Sequence, residues 1–96
     1  MAAYVIFDID VTDPKGYEEY KKLSGPAVAA TGGEYVVRGG RVEVLEGDWS
    51  PTRVVVLRFE SLDAARAWYE SDDYQQAVKL RQAASHARVI AVEGVS

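Results

Sequence analysis

Asp8-Ile9-Asp10-Val11-Thr12 follows an apolar stretch and matches the D-x-D-x-T pattern of a phosphoryl-transfer nucleophile, in which one carboxylate attacks phosphorus and the second works as acid and base. Asp72-Asp73 resembles the later metal-binding pair such sites use. That chemistry needs a larger parallel sheet with its catalytic groups at strand ends, and 96 residues supply neither the length nor the strand order. The motif therefore reads as a strand edge followed by an Asx-type helix start. His86 is the only histidine, with Ser85 beside it. Adjacent residues of a strand point apart and no third carboxylate is marked to orient them, so His86 reads as a surface residue before the last strand. One histidine, no cysteine and scattered carboxylates match no metal-ligand spacing, and no cofactor is called for.

The aromatic and arginine set is more informative. Tyr35, Arg38, Trp49, Arg53, Trp68, Tyr69, Tyr74 and Arg81 are many amphipathic groups for a small core. Aromatic walls with a few donors are what ligand pockets commonly use. In that reading Arg38, Arg53 or Arg81 holds an anionic or carbonyl group, and Trp68, Tyr69 and Tyr74 hold the apolar body. The competing reading is structural: Trp68 and Tyr69 at helical spacing serve as core, and Trp49 covers a sheet edge or locks a dimer.

These residues must be positioned by a single small domain over residues 1–96. A chain of this length buries roughly 60 to 65% of its unfolded surface, so its core gains from a partner. The net charge of −4, from 15 acidic and 11 basic residues, lacks the positive field that nucleic-acid binding depends on. The N-terminus has no basic region, and its apolar run from Ala2 to Phe7 is too short for a signal peptide or a membrane span. No nucleic acid, no membrane and a cytoplasmic location are the expectations.

The stretch from Arg53 to Arg81 organises the chain. Val54, Val55, Val56, Leu57 and Phe59 form a central strand with apolar residues on both faces, and Ser61 caps the helix that follows. Leu62, Ala65, Trp68 and Tyr69 share a helix face, Ser71 offers a second cap, and a helical stripe continues through Tyr74, Ala77, Val78 and Arg81 to Ala84. Upstream, alternation predicts a first strand over 3–11, with Val5, Phe7, Ile9 and Val11 on one face and Tyr4, Ile6, Asp8 and Asp10 on the other. Asp13 and Pro14 start a helix with Tyr17, Tyr20, Leu23 and Ala27 as its stripe and Glu18-Lys22 as an i,i+4 pair. Gly25-Pro26 should break or kink it near Ser24, and Gly32-Gly33 end it. Residues 34–38 and 42–46 read as strand pieces around Gly39-Gly40, either a tight turn or, as we favour, a bend in one longer strand. Residues 47–51 then make a hairpin connection, and 87–95 a last strand.

Strand, helix, strand, strand, helix, strand is the split βαβ order of α+β ferredoxin-like domains, with both helices on one face of an antiparallel sheet. The other face then carries Ile6, Val54 and Val56 without a cover. A second copy of the sheet is the simplest cover and produces a dimeric α/β barrel, hence a homodimer. Asp8 and Arg58 fall on that uncovered face, and with the first and third strands taken as parallel neighbours they are expected to pair.

The runs Tyr35-Val36-Val37-Arg38-Gly39-Gly40 and Val44-Leu45-Glu46-Gly47-Asp48-Trp49, with Pro51, Arg53, Phe59, Ser61 and the stretch from Ala65 to Ser71, carry a family resemblance. Over nearly its whole length the chain resembles a small bacterial family catalogued as domain of unknown function thirteen-thirty. The resemblance implies a dimeric α/β barrel, in the superfamily of cofactor-free monooxygenases and muconolactone isomerase-like proteins. It implies no activity. Two functions remain open: a protein binding or transforming a small apolar or anionic metabolite in a pocket between sheet and helices, and a structural or regulatory dimerisation module without a substrate. A pocket with ordered non-protein density favours the first, and tightly filled space around Trp68 the second.

Overall fold

A computed structural model describes residues 1–96. The elements run β1 (Ala3–Val11), α1 (Pro14–Ala30), β2 (Glu34–Arg38), β3 (Arg53–Phe59), α2 (Leu62–Glu70), α3 (Asp72–Ala84) and β4 (Ser85–Glu93). The four strands form one sheet in the order β2-β3-β1-β4, and every neighbouring pair is antiparallel. This is the expected ferredoxin-like α+β architecture.

Local chemistry accounts for most element ends. Ser61 Oγ accepts from the Ala64 amide at 3.0 Å, and Ser71 Oγ accepts from the Tyr74 amide at 3.2 Å, so each serine satisfies one orphan donor of its helix. Asp13 occupies the N-cap position of α1 without a side-chain bond, and Pro14 follows it. Gly32, at φ 80°, takes the left-handed turn after α1 that a residue with a Cβ resists. Three expectations fail here. Helix α1 continues through Gly25 and Pro26 to Ala30 without the break expected near Ser24, and Ala27 and Val28 beyond the proline are buried in the core. Its buried stripe takes Ser24 in place of Leu23, which is 42% exposed. Lys21 and Lys22 pair one turn back with Glu18 and Glu19, at 2.9 and 3.0 Å, instead of Lys22 with Glu18.

The strand expected over 42–46 does not form. β2 ends at Arg38, and residues 39–52 cross to β3 without regular structure, exposing Val42, Val44 and Leu45. Gly39 turns the chain out of the sheet at φ 71°, held by its amide bonding the Val54 carbonyl at 2.9 Å. The irregularity in the β2–β3 ladder sits earlier, between Tyr35 and Val37.

The core lies between the sheet and the helices. Val5, Phe7 and Ile9 of β1 and Val55, Leu57 and Phe59 of β3 point into it, as alternation requires. They meet Tyr17, Tyr20 and Val28 of α1, Ala65 and Trp68 of α2, and Tyr74, Ala77 and Val78 of α3.

Candidate functional site

Three positions in this frame collect polar and aromatic groups, and the eight residues singled out from the sequence are divided among them. The first is the seam between α1 and the β2–β3 side of the sheet. Tyr35 and Arg38 share the helix-facing side of β2, with the Arg38 guanidinium 4.1 Å from the Tyr35 ring centroid. Arg53 stands beside them, its Nε donating to the Tyr17 hydroxyl at 3.1 Å and its guanidinium 5.3 Å from the Tyr17 ring. Lys21, Ser24 and Trp68 line the same space. The enclosed space is only ≈ 20 Å³, about enough for one water.

Trp68 is not a pocket wall in any open sense. It is 1% exposed, and its ring centroid lies 4.1 Å from that of Tyr74, 5.3 Å from Phe59 and 6.3 Å from Phe7. Tyr69 flanks it at 6.0 Å on the outer side of α2. Deeper in, the Tyr74 and Tyr20 hydroxyls bond one another at 2.8 Å. Burial raises both phenols, Tyr20 strongly, so both stay protonated and neutral.

The second position is the helix-free face of the sheet. Antiparallel pairing sets Val37, Val56, Ile6 and Ile90 in one row across all four strands. Charged pairs border the row. On one side Arg58 lies 3.5 Å from Glu34, and on the other Arg88 donates to Asp8 at 2.6 Å. Trp49 reaches over from the 39–52 connection and donates its indole N–H to the same Asp8 oxygen at 2.9 Å. The Arg88 bond, then the Trp49 bond, hold the Asp8 carboxyl below its usual range.

The expected Asp8–Arg58 pair is therefore corrected. Both residues do lie on the helix-free face, but β1 and β3 are antiparallel, so Asp8 stands opposite Val54 while Arg58 stands opposite Tyr4 at the far end of the strand. Each charge is met by a different edge strand. Arg88, absent from the candidates that residue type alone suggests, falls opposite Asp8 once β4 is set antiparallel to β1.

The third position is the outer end of α3 against β4. Arg81, Gln82, Ser85, His86, Tyr69, Ala87 and Val89 line an open cleft of ≈ 470 Å³ there. Ser85 Oγ donates to the Arg81 carbonyl at 2.7 Å, away from His86, in agreement with the expectation that these neighbours are not a catalytic pair. So Tyr35, Arg38, Arg53 and Trp68 meet at the first position, Trp49 joins the second, Arg81 and Tyr69 the third, and Tyr74 sits in the core. No group of three or more His, Cys, Asp or Glu side chains could hold a metal ion. No helix is long and apolar enough to cross a membrane.

Residues 2–95 match the family described as Domain of unknown function (DUF1330), and the chain belongs to it. No curated protein matches significantly. Among solved structures, a protein of unknown function from Rhodopseudomonas palustris is similar at TM-score 0.79 and 24% identity, over 99% of this chain and 83% of that one. SnoaB, a cofactor-independent oxygenase from Streptomyces nogalater, is similar at TM-score 0.69 and 14% identity, over 99% of this chain and 93% of SnoaB. The de novo designed protein Foldit4 is similar at TM-score 0.63 and 15% identity, over 98% of this chain and 99% of the design. At these identities the likeness is one of fold alone.

Proposed function

We propose that this chain works as a homodimerising module, two copies packing their helix-free sheet faces together into an α/β barrel. The observation that carries this reading is the apolar row Val37, Val56, Ile6 and Ile90, flanked by Tyr4, Val54 and Val92, with no helix or strand over it and only the Trp49 end of the 39–52 connection beside it at Asp8. Ile90 is 59% exposed and Val92 44%. An uncovered apolar face of this breadth is what an interface between copies uses. Its size is also adequate. The Cα extents of 31 × 31 × 16 Å make the molecule a slab, whose broad side compares with the roughly 800 Å² per partner of a standard stable interface.

The bordering pairs fit a two-fold arrangement, since Glu34–Arg58 and Asp8–Arg88 are each internally neutral. The sheet–helix seam gives little support to a metabolite pocket. Its space is water-sized, and tight filling around Trp68 favours the module over the pocket. Val56→Glu tests the reading by placing a carboxylate in the middle of the row. The variant should run as a monomer while keeping the far-ultraviolet circular dichroism of the parent; a dimeric Val56→Glu would refute this use of the face.

A further inference from the structure

The connection from β2 to β3 leaves its main chain unpaired. No backbone amide or carbonyl of residues 40–52 bonds another backbone group of the chain. Side chains hold the far end, where Trp49 donates to Asp8 and Thr52 Oγ1 donates to the Ile9 carbonyl. The middle, Arg41-Val42-Glu43-Val44-Leu45-Glu46, has the alternation and β-branched content of a strand, yet Val42, Val44 and Leu45 are exposed, Leu45 at 91%. A segment with strand chemistry and free main-chain groups pairs wherever a second free edge is brought beside it.

The sheet has one edge suited to receive it. β2 is five residues long and irregular between Tyr35 and Val37. β4, at the other edge, runs nine residues in unbroken register with β1. It carries no proline, lysine or bulge, the devices that blunt an edge against pairing. Within one chain the two cannot meet as strands, because the connection is tied at its ends to β2 and β3, with β1 between them and β4.

We propose that residues 42–46 of each copy add to the β4 edge of the partner copy as a further antiparallel strand. This rests on the packing of two helix-free faces argued above, and the geometry of that packing leads to it. A two-fold axis between the sheets and along the strands turns the order β2-β3-β1-β4 over, so the β2 edge of one copy comes beside the β4 edge of the other. Such an axis preserves strand direction. Since β2 and β4 run opposite ways, the chain continuing from β2 meets the partner's β4 antiparallel. An axis across the strands would set β2 on β2 and leave the segment beside no free edge. The interface is also continuous, because Ile90 of β4 already belongs to the apolar row.

Isotope-filtered NOE spectroscopy on dimers mixed from labelled and unlabelled protein tests this, with amide exchange read on the same sample. Backbone contacts are expected between residues 42–46 of one copy and β4 of the other. Alternate amides of 42–46 should exchange at least about tenfold more slowly than in the Val56→Glu monomer. Adjacent amides of a strand point opposite ways, so one of Glu43→Pro and Val44→Pro removes a bonding donor and should raise the dimer Kd about tenfold or more in sedimentation. Neither amide is bonded within the chain, so each variant should keep the parent's far-ultraviolet circular dichroism. A dimer whose 42–46 contacts are absent or fall on the partner's β2, whose 42–46 amides exchange as in the monomer, or whose two proline variants dimerise like the parent overturns the strand addition alone. A single-chain mass for the parent overturns the dimer reading and this proposal with it. Should Val56→Glu fail to fold, the NOE pattern of the parent decides.

Discussion

Trp68→Phe separates the packing role of the indole from its polar atom. The ring is 1% exposed and stacked within 4.1 Å of Tyr74, while its Nε1 is buried with no partner. Shrinking the ring leaves a void on the order of 40 Å³, which at about 24 cal/mol per Å³ costs about 1 kcal/mol. Lost apolar burial adds about 1 kcal/mol. Removing a buried donor that has no acceptor returns about 1 to 3 kcal/mol. These contributions nearly cancel, so Trp68→Phe should lie within about 1 kcal/mol of the parent. Trp68→Ala removes the same unpaired donor but opens a far larger void, and should still cost about 3 to 5 kcal/mol, against a total of roughly 5 to 14 kcal/mol for a chain of this length. Urea unfolding at one fixed protein concentration measures both, fixed because dimerisation makes stability concentration-dependent. A loss above about 3 kcal/mol for Trp68→Phe, with an unchanged m-value, would show that the indole N–H is bonded in solution and would refute the reasoning.

The buried Tyr20–Tyr74 hydroxyl pair should behave as a unit: either single change to Phe costs about 1 to 3 kcal/mol by orphaning the other hydroxyl, and the double change costs less than the sum, as a double-mutant cycle in urea would measure. Because burial raises both phenols, their protonated form is the one the fold favours, so this stability is present below the ordinary phenol range near pH 10 and is lost as pH rises beyond it. Alkaline unfolding should therefore move to higher pH in the double Phe variant. Asp8 has the opposite sign. Its carboxyl is held low by Arg88 and then Trp49, so its contribution is present above the usual carboxylate range and fades as pH falls below about 4, and Asp8→Asn should flatten that acid limb in thermal melts. Gly39→Ala should cost about 1 to 2 kcal/mol or more by thermal melting, since φ is 71° and an added Cβ would collide with the Arg53 guanidinium.

Much of the fold was legible because local signals and the global pattern agree. Alternation in β1 and β3 assigned the buried faces, and the serines before α2 and α3 marked their starts through caps that do form. What failed were features set by long-range pairing. Val42, Val44 and Leu45 have the composition of a strand, but no neighbouring strand extends beside them, so their pattern has nothing to pair with. Asp8 and Arg58 could be assigned a face from alternation alone, whereas their partners depend on strand direction and register. The candidate residues show the same limit. Helical spacing placed Arg81 on the inner stripe of α3, yet only the packed structure shows that its Nε is buried there without a hydrogen-bond partner.

Sedimentation equilibrium of the parent protein at micromolar concentration tests the proposed assembly most directly. A mass twice the 10.6 kDa of the chain is the expected result, with the Ile6, Val56 and Ile90 side chains protected between the two sheets. A single-chain mass at that concentration would contradict it.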